Sequence, residues 1–204
     1  MEQLNNVKVS ISPGNSKMGS IPSVSLPPIV TCPEGVPCAK LCYAAKFCRM
    51  RPSVREAYQR NLDILNSDWN SYWRQVNAAI MTSRYFRFHV AGDIPSLRYF
   101  GHMVQAAVNN PHCQILAFTK RFDVVNLWID RSGELPKNLH IVFSEWPGRE
   151  MENPHNLPVA HVIFKKTESD PDWKICGGNC TECACAGIGC WELKEGEHLA
   201  FYQH

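Results

Sequence analysis

Nine of the ten cysteines in this 204-residue chain fall into two tight groups, one near each end. The first, TCPEGVPCAKLCYAAKFC, sets Cys32, Cys38, Cys42 and Cys48 at the spacing C-x5-C-x3-C-x5-C. The second, ICGGNCTECACAGIGCW, sets Cys176, Cys180, Cys183, Cys185 and Cys190 within fifteen residues. The N-terminal run MEQLNNVKVSIS lacks the basic and then apolar stretch of a secretory signal, and no apolar run approaches the ~18 residues of a membrane span. The expected setting is therefore the cytoplasm, with no membrane contact, where structural disulfides are not normally kept. Metal binding becomes the leading account of the thiols. Cys113, alone in PHCQILAF, reads as a small buried hydrophobe.

The spacings bear on the kind of metal. Pro33, Gly35 and Pro37 favour a folded loop that turns several thiolates toward one centre, and Cys38 and Cys42, four apart, can share one helical face. Gly177, Gly178, Gly187 and Gly189 let the second loop wrap closely and present unhindered N–H groups to sulfide. Four-cysteine zinc sites close tetrahedrally on paired C-x2-C knuckles. Here the second group has one such knuckle, Cys180 to Cys183, and the first has none. Irregular spacings suit a bulky iron-sulfur cluster better than one small ion, and soft thiolates suit it chemically. Cys176 to Cys183 also reads C-x3-C-x2-C, the spacing of radical S-adenosylmethionine enzymes. In those enzymes the motif follows the first barrel strand, whereas only about twenty residues follow it here.

Length and patterning predict one α/β domain over residues 1–204. Residues 1–52 hold an N-terminal loop and the first cysteine group, 53–170 a β/α core, and 171–204 the second group. A strand is expected over Val7 to Ile11, followed by an ordered Pro, Ser and Gly-rich loop. Ser53 and Glu56 match a capping box ahead of Val54, Tyr58, Leu62 and Leu65 at helical spacing. A second helix from Ser67 carries Trp69, Trp73, Val76 and Ile80 toward the core. Apolar runs FRFHVAG from Phe86, ILAFTK from Ile115, HIVFSEW from His140 and VAHVIFKK from Val159 read as buried strands, with a further one in HLAFYQ. Between them Leu97, Phe100, Val104 and Val108 mark one helix, and Val124, Leu127 and Trp128 a shorter one. Strand and helix in alternation imply right-handed crossovers and a mainly parallel sheet, a reduced or open TIM-barrel-like fold, with a flat doubly wound sheet as the alternative.

Functional groups of parallel α/β folds collect where strands end. These ends carry Gly92 and Asp93, Thr119 and Lys120, Glu145 and Trp146, and Lys165 and Lys166. His89, Asp93, Lys120 and Glu145 are accordingly the candidates for handling protons or anchoring a ligand, although a strand histidine such as His89 is often a satisfied core residue. Lys17, in GNSKMG, can meet an anion, but its loop is not a Walker motif and a plain loop lysine is the simpler reading. His198 and His204 are further candidate iron ligands.

With both cysteine groups and the strand ends in view, the chain resembles the gene product 88 family, phage-encoded proteins found also in bacterial genomes. The resemblance covers nearly the whole length. It rests on GNSKMG from Gly14, SVSLPP from Ser23, TCP, PC and CYA between Thr31 and Ala44, VREAYQRNL from Val54, FRFHVAGDI from Phe86 and the C-terminal CW. It implies cysteine patterns suited to iron-sulfur clusters, without implying a substrate. By motif match it favours Cys32, Cys38 and Cys42 in the first group and Cys176, Cys180, Cys183 and Cys190 in the second, with Cys48 and Cys185 less typical.

The resulting expectation is a redox protein with at least one [4Fe-4S]-type cluster, acting as an oxidoreductase on a small molecule. One cluster per group and a single larger fused cluster are both open. An electron donor or acceptor protein or a small reductant is the expected partner. With 21 Lys and Arg against 19 Asp and Glu, net +2, and no block of like charge, nucleic acid is not indicated. The alternatives are a radical S-adenosylmethionine-like enzyme, with that cofactor bound, and a zinc-stapled binding module without catalysis.

Overall fold

The apolar runs form strands, and alternate positions along each strand serve two different faces. The computed structural model describes residues 7–165 and 168–203; Lys166 and His204 lie outside the described residues. In chain order the elements are β1 (Ile11–Ser12), β2 (Ser23–Val24), α1 (Tyr43–Met50), α2 (Pro52–Ser67), α3 (Trp69–Met81), β3 (Tyr85–Phe88), α4 (Leu97–Asn109) and β4 (Gln114–Thr119). There follow α5 (Phe122–Ser132), β5 (Leu139–Ser144), β6 (Val159–Ile163), β7 (Lys174–Ile175), α6 (Cys180–Ala186) and β8 (His198–Tyr202). Short 3-10 turns cover Pro37–Leu41 and Gly189–Trp191. No helix among the described residues is long and apolar enough to cross a membrane.

The strands build one eight-stranded sheet in the order β1-β2-β3-β4-β5-β6-β8-β7. β1 runs antiparallel to β2, and the other pairings are parallel. Strands β2 to β6 are neighbours in chain order, so right-handed crossovers place their connecting helices on one face. A doubly wound sheet would instead reverse its order and carry helices on both faces. The sheet is open, with β1 and β7 at its edges, so the strands do not close into a barrel.

Each face has its own core. On the helix side, Phe86 and Phe88 of β3, Ile115 and Ala117 of β4, and Ile141 and Phe143 of β5 pack against buried residues of α2 to α5, including Tyr72, Val76, Tyr99 and Phe100. On the other side, Leu116, Val142 and Ala160 meet Met18, Ile21, Ala184 and Trp191. The second cysteine segment therefore roofs the face that the helices leave uncovered. Cys113 is fully buried on the helix side, where burial pushes its thiol up to about 12.

Several local expectations shift. The first strand is Ile11–Ser12 rather than Val7 to Ile11. Upstream of it, Val9 and Ser10 donate their N–H groups to the side chains of Gln75 and Asn61 instead of to a strand. The capping box is not used: α2 starts at Pro52, whose fixed φ suits a first turn, and Ser53 lies inside the helix. In α4 the buried face is Tyr99, Phe100, Met103, Ala106 and Ala107, leaving Val108 exposed. Strand β3 ends at Phe88 because His89 turns to φ 56, outside the extended region.

Phe86 is fully buried between sheet and helices. Phe86→Ala should lower the unfolding free energy by about 3–5 kcal/mol, read as a fall in the urea midpoint at unchanged slope.

Candidate functional site

The parallel strands deliver their carboxyl ends to one rim, and the first cysteine loop, which leaves β2 at that rim, closes over it. A cavity of about 230 Å³ lies there. Cys32, Cys38 and Cys42 line it together with His89, Asp93, Lys120 and Lys17, which lies over the Phe201 ring. Phe118, Trp146 and Phe201 supply apolar wall. Cys32 and Cys38 feel their neighbours: besides burial, charge on Cys38 or Cys42 raises the Cys32 pKa, and burial first, then charge on Cys42, raises that of Cys38 while Lys120 lowers it.

Local backbone geometry aims this loop. Cys42 caps α1, its sulfur accepting from the Ala45 N–H at 3.4 Å. Cys32 Sγ accepts from the Ile29 N–H at 3.4 Å. Ile29 holds φ 71, a strained value for a β-branched residue. Burial first, then Asp93, pushes the Cys32 thiol up to about 11, so the bare thiol keeps its proton at neutral pH. A thiophilic metal displaces that proton on binding.

Asp93 anchors the floor. Its buried carboxylate accepts from Thr119 Oγ1 at 2.5 Å, from the Lys120 N–H at 2.8 Å and from the Ile94 N–H at 2.8 Å. Burial pushes its pKa up, and these donors and the Lys120 ammonium pull it back. The Asp93 N–H donates to Thr31 Oγ1, next to Cys32, at 3.2 Å. Gly92 (φ +78) permits this approach, since a Cβ there would lie 2.6 Å from Thr31 Oγ1 and 2.7 Å from the Leu26 carbonyl oxygen. Lys120 Nζ donates to Ser144 Oγ at 2.7 Å, which holds the ammonium at the cavity wall.

The four favoured thiols of the second group also converge. Cys176, Cys180 and Cys183 each raise the pKa of Cys190, which burial first and foremost pushes up to about 12, and Cys176 and Cys180 raise that of Cys183. Glycine makes the space: a Cβ on Gly189 would lie 3.4 Å from Cys183 Sγ, and one on Gly177 3.9 Å. Asn179 caps α6 through the Thr181 and Glu182 N–H groups. The helix is moored to the GNSKMG loop, where the Cys180 N–H donates to the Lys17 carbonyl at 3.0 Å and Thr181 Oγ1 to that of Met18 at 2.9 Å.

Arg87, which the sequence reading passed over, joins the two groups. It lines the cavity, lies over the Phe118 ring at 4.8 Å and donates from its guanidinium to Cys180 Sγ at 3.8 Å. Its signal was available: a cation at a sheet-face position of an otherwise apolar strand.

Not every candidate converges. Glu145 does not line the cavity; its carboxylate pairs with His161 Nδ1. His161 Nε2 in turn meets His198 Nδ1 at 2.8 Å, and the Trp173 ring stacks on His161 at 3.8 Å. The reason is strand alternation: Ser144 and Trp146 face the cavity, so the residue between them faces away. Cys48 is buried within α1, and Cys185 is exposed on α6. Among the described residues no three of His, Cys, Asp or Glu stand close enough to hold a single metal ion.

His89 is 4 % exposed, and both its ring nitrogens are buried without a hydrogen-bond partner. Burial lowers its pKa to about 3. The unfolded chain therefore takes up a proton near pH 6.5 that the folded chain refuses until near pH 3, so stability falls as pH drops through that window. His89→Leu should remove this component. Between pH 6 and 4 the wild type should lose up to about 1.4 kcal/mol per pH unit more than the variant, measured by urea unfolding.

No curated protein and no solved structure matches the chain. A family profile described as Gene product 88 matches residues 3–196, almost the full length. The chain thus belongs to the Gene product 88 family.

Proposed function

We propose that this is a redox protein carrying two iron-sulfur sites, one on Cys32, Cys38 and Cys42 and one on Cys176, Cys180, Cys183 and Cys190. The observation that carries the reading is the meeting of three thiols with His89, Asp93 and Lys120 in one cavity at the carboxyl ends of parallel strands. The donor chemistry fits: both sets are soft thiols, and both have close glycine or backbone N–H groups. A cluster held by three thiolates supplies one iron without a protein thiolate, to which a small molecule can bind, whereas a fully ligated one transfers electrons.

The chain's own groups then divide the work. Lys120, held by Ser144, and Arg87 present positive charge to a ligand in the cavity. Asp93, saturated with donors, fixes the rim rather than moving protons. Phe118, Trp146 and Phe201 limit water. Arg87 also places a cation on Cys180 Sγ, so the four-thiol site is electrostatically tied to the cavity.

A second reading, a radical S-adenosylmethionine-like enzyme, draws support from chain order. The first cysteine loop directly follows β2, the first of the parallel strands, with the rest of the sheet downstream. That is where those enzymes carry their cluster, although C-x5-C-x3-C departs from their usual spacing. Binding of S-adenosylmethionine and its reductive cleavage under dithionite separate this reading from the first.

Anaerobically purified protein should contain about eight irons and eight sulfides per chain, by the stoichiometry of two cubanes. Cys42→Ala should lower the iron by roughly half, while Cys48→Ala, Cys113→Ala and Cys185→Ala leave it unchanged. Zinc without iron or sulfide would establish a stapled module instead. Arg87→Gln should retain full iron yet lower the reduction potential of the four-thiol site, followed by electron paramagnetic resonance during a redox titration, because the reduced cluster loses a neighbouring cation.

A further inference from the structure

Helix α1 is turned inside out. It buries the small side chains Ala44 and Cys48 and shows its large apolar ones to solvent, with Tyr43 52 %, Phe47 45 % and Met50 66 % exposed. Positions 43, 47 and 50 follow the spacing of one helical face, so these side chains form a continuous stripe. Ile29, Val30 and Leu41, on the loop leading to α1, are exposed as well, Val30 by 70 %. Tyr43 reaches the Val90 carbonyl with its hydroxyl at 2.7 Å, which fixes the stripe to the edge of the cavity. A chain with a large core on the helix side of its sheet has no folding reason to leave six such side chains on one 22-residue segment.

The same segment concentrates charge. Residues 29–55 hold Lys40, Lys46, Arg49, Arg51 and Arg55, all exposed, against the single acid Glu34, a net of +4. The whole chain is only +2, so the remainder is net acidic and the overall balance conceals a basic segment. Apolar stripe, cations and Cys32, Cys38 and Cys42 thus occupy one short stretch of chain.

We infer that the exposed face of residues 29–55 is the docking surface for a small acidic electron-carrier protein that delivers electrons to the three-thiol site. The inference rests on the iron-sulfur reading of that site. An apolar centre with a charged rim is the anatomy of a transient protein interface, and opposite charge speeds encounter without requiring high affinity. A nucleic acid would engage the cations, but it offers no matching surface for Val30, Leu41 or Met50. The carrier is oxidised by one electron and the cluster reduced by one, with no other reactant consumed.

The probe is a reduced, acidic plant-type [2Fe-2S] ferredoxin, mixed with the full chain in a stopped-flow spectrometer. Its second-order rate of cluster reduction should fall about tenfold or more between low and high salt. The pair Lys46→Glu and Arg49→Glu should give a similar loss at low salt, and Phe47→Ser with Met50→Ser a loss that salt does not mask. Both variants should keep wild-type iron and sulfide and a wild-type rate with dithionite to within about twofold, since a small reductant needs no docking surface. Unchanged ferredoxin rates in both variants would overturn the docking surface while leaving the clusters intact. Loss of binding to a DNA oligonucleotide with ferredoxin rates unchanged would reassign the face to nucleic acid. Protein without iron and sulfide would overturn the site and the surface together.

Discussion

The buried Asp93 carboxylate is the contact on which the rim depends. A carboxylate at 4 % exposure is costly unless its oxygens are filled, and three donors fill them. Those donors come from two places: Ile94, next to Asp93 in the turn after β3, and Thr119 with Lys120 at the end of β4. Thr119 extends the linkage by accepting from the Arg121 N–H at 2.9 Å. Through its own N–H, Asp93 also holds Thr31, the neighbour of Cys32. Through its carboxylate and its backbone N–H together, Asp93 therefore ties the turn after β3 and the end of β4 to the cysteine loop. The thiols are placed by rigid elements rather than by the loop alone, which is the condition for a precise ligand set.

Sequential strand order gives that rim its asymmetry. Since helices α2 to α5 all lie on one face, the opposite face has to be covered by something else. The GNSKMG loop and the C-terminal cysteine segment do this, with Met18, Ala184 and Trp191 over Leu116, Val142 and Ala160. Tyr85 donates its hydroxyl to the Ala184 carbonyl at 2.9 Å and packs edge-on to Trp191 at 5.1 Å, which pins the roof to β3. The two cysteine groups thus end up on the same side of the sheet, with Arg87 lining the cavity of the first and meeting Cys180 of the second.

Much of this was legible in the sequence. The five longer strands announced themselves because buried parallel strands are near-continuous apolar runs, and the polar strand ends pointed to the rim. His89, Asp93 and Lys120 reach the cavity, while Glu145 does not, because strand alternation turns it outward. Strand β2 was invisible for a different reason: two residues, Ser23 and Val24, are too few to show any period. Helix α1 escaped because its pattern is inverted, with small residues buried and large ones exposed. The role of GNSKMG could not be read locally. Its Asn15 side chain folds the loop on itself through the Lys17 and Met18 N–H groups, but its partner, Thr181, lies more than 160 residues away.

The roof also shows why thiols rather than more apolar side chains suit its task. Its core is thin, resting on a few residues from the loop and α6, with Cys180, Cys183 and Cys190 at its partly buried edge. Helix α6 spans seven residues, too short to be stable by itself. Glycines around it lower the barrier to close approach but raise the entropy of the unfolded segment. On the proposed iron-sulfur reading, a metal held by the four thiols would cross-link such a segment, and its binding free energy would add directly to folding. The first group stands in a different situation. Its loop is already fixed by Asp93, Thr31 and the α1 cap, so a metal there is not required to hold the chain together. On the proposed iron-sulfur reading, the four-thiol site would chiefly stabilise the roof, and the three-thiol site, beside the cavity, would be the one available for chemistry.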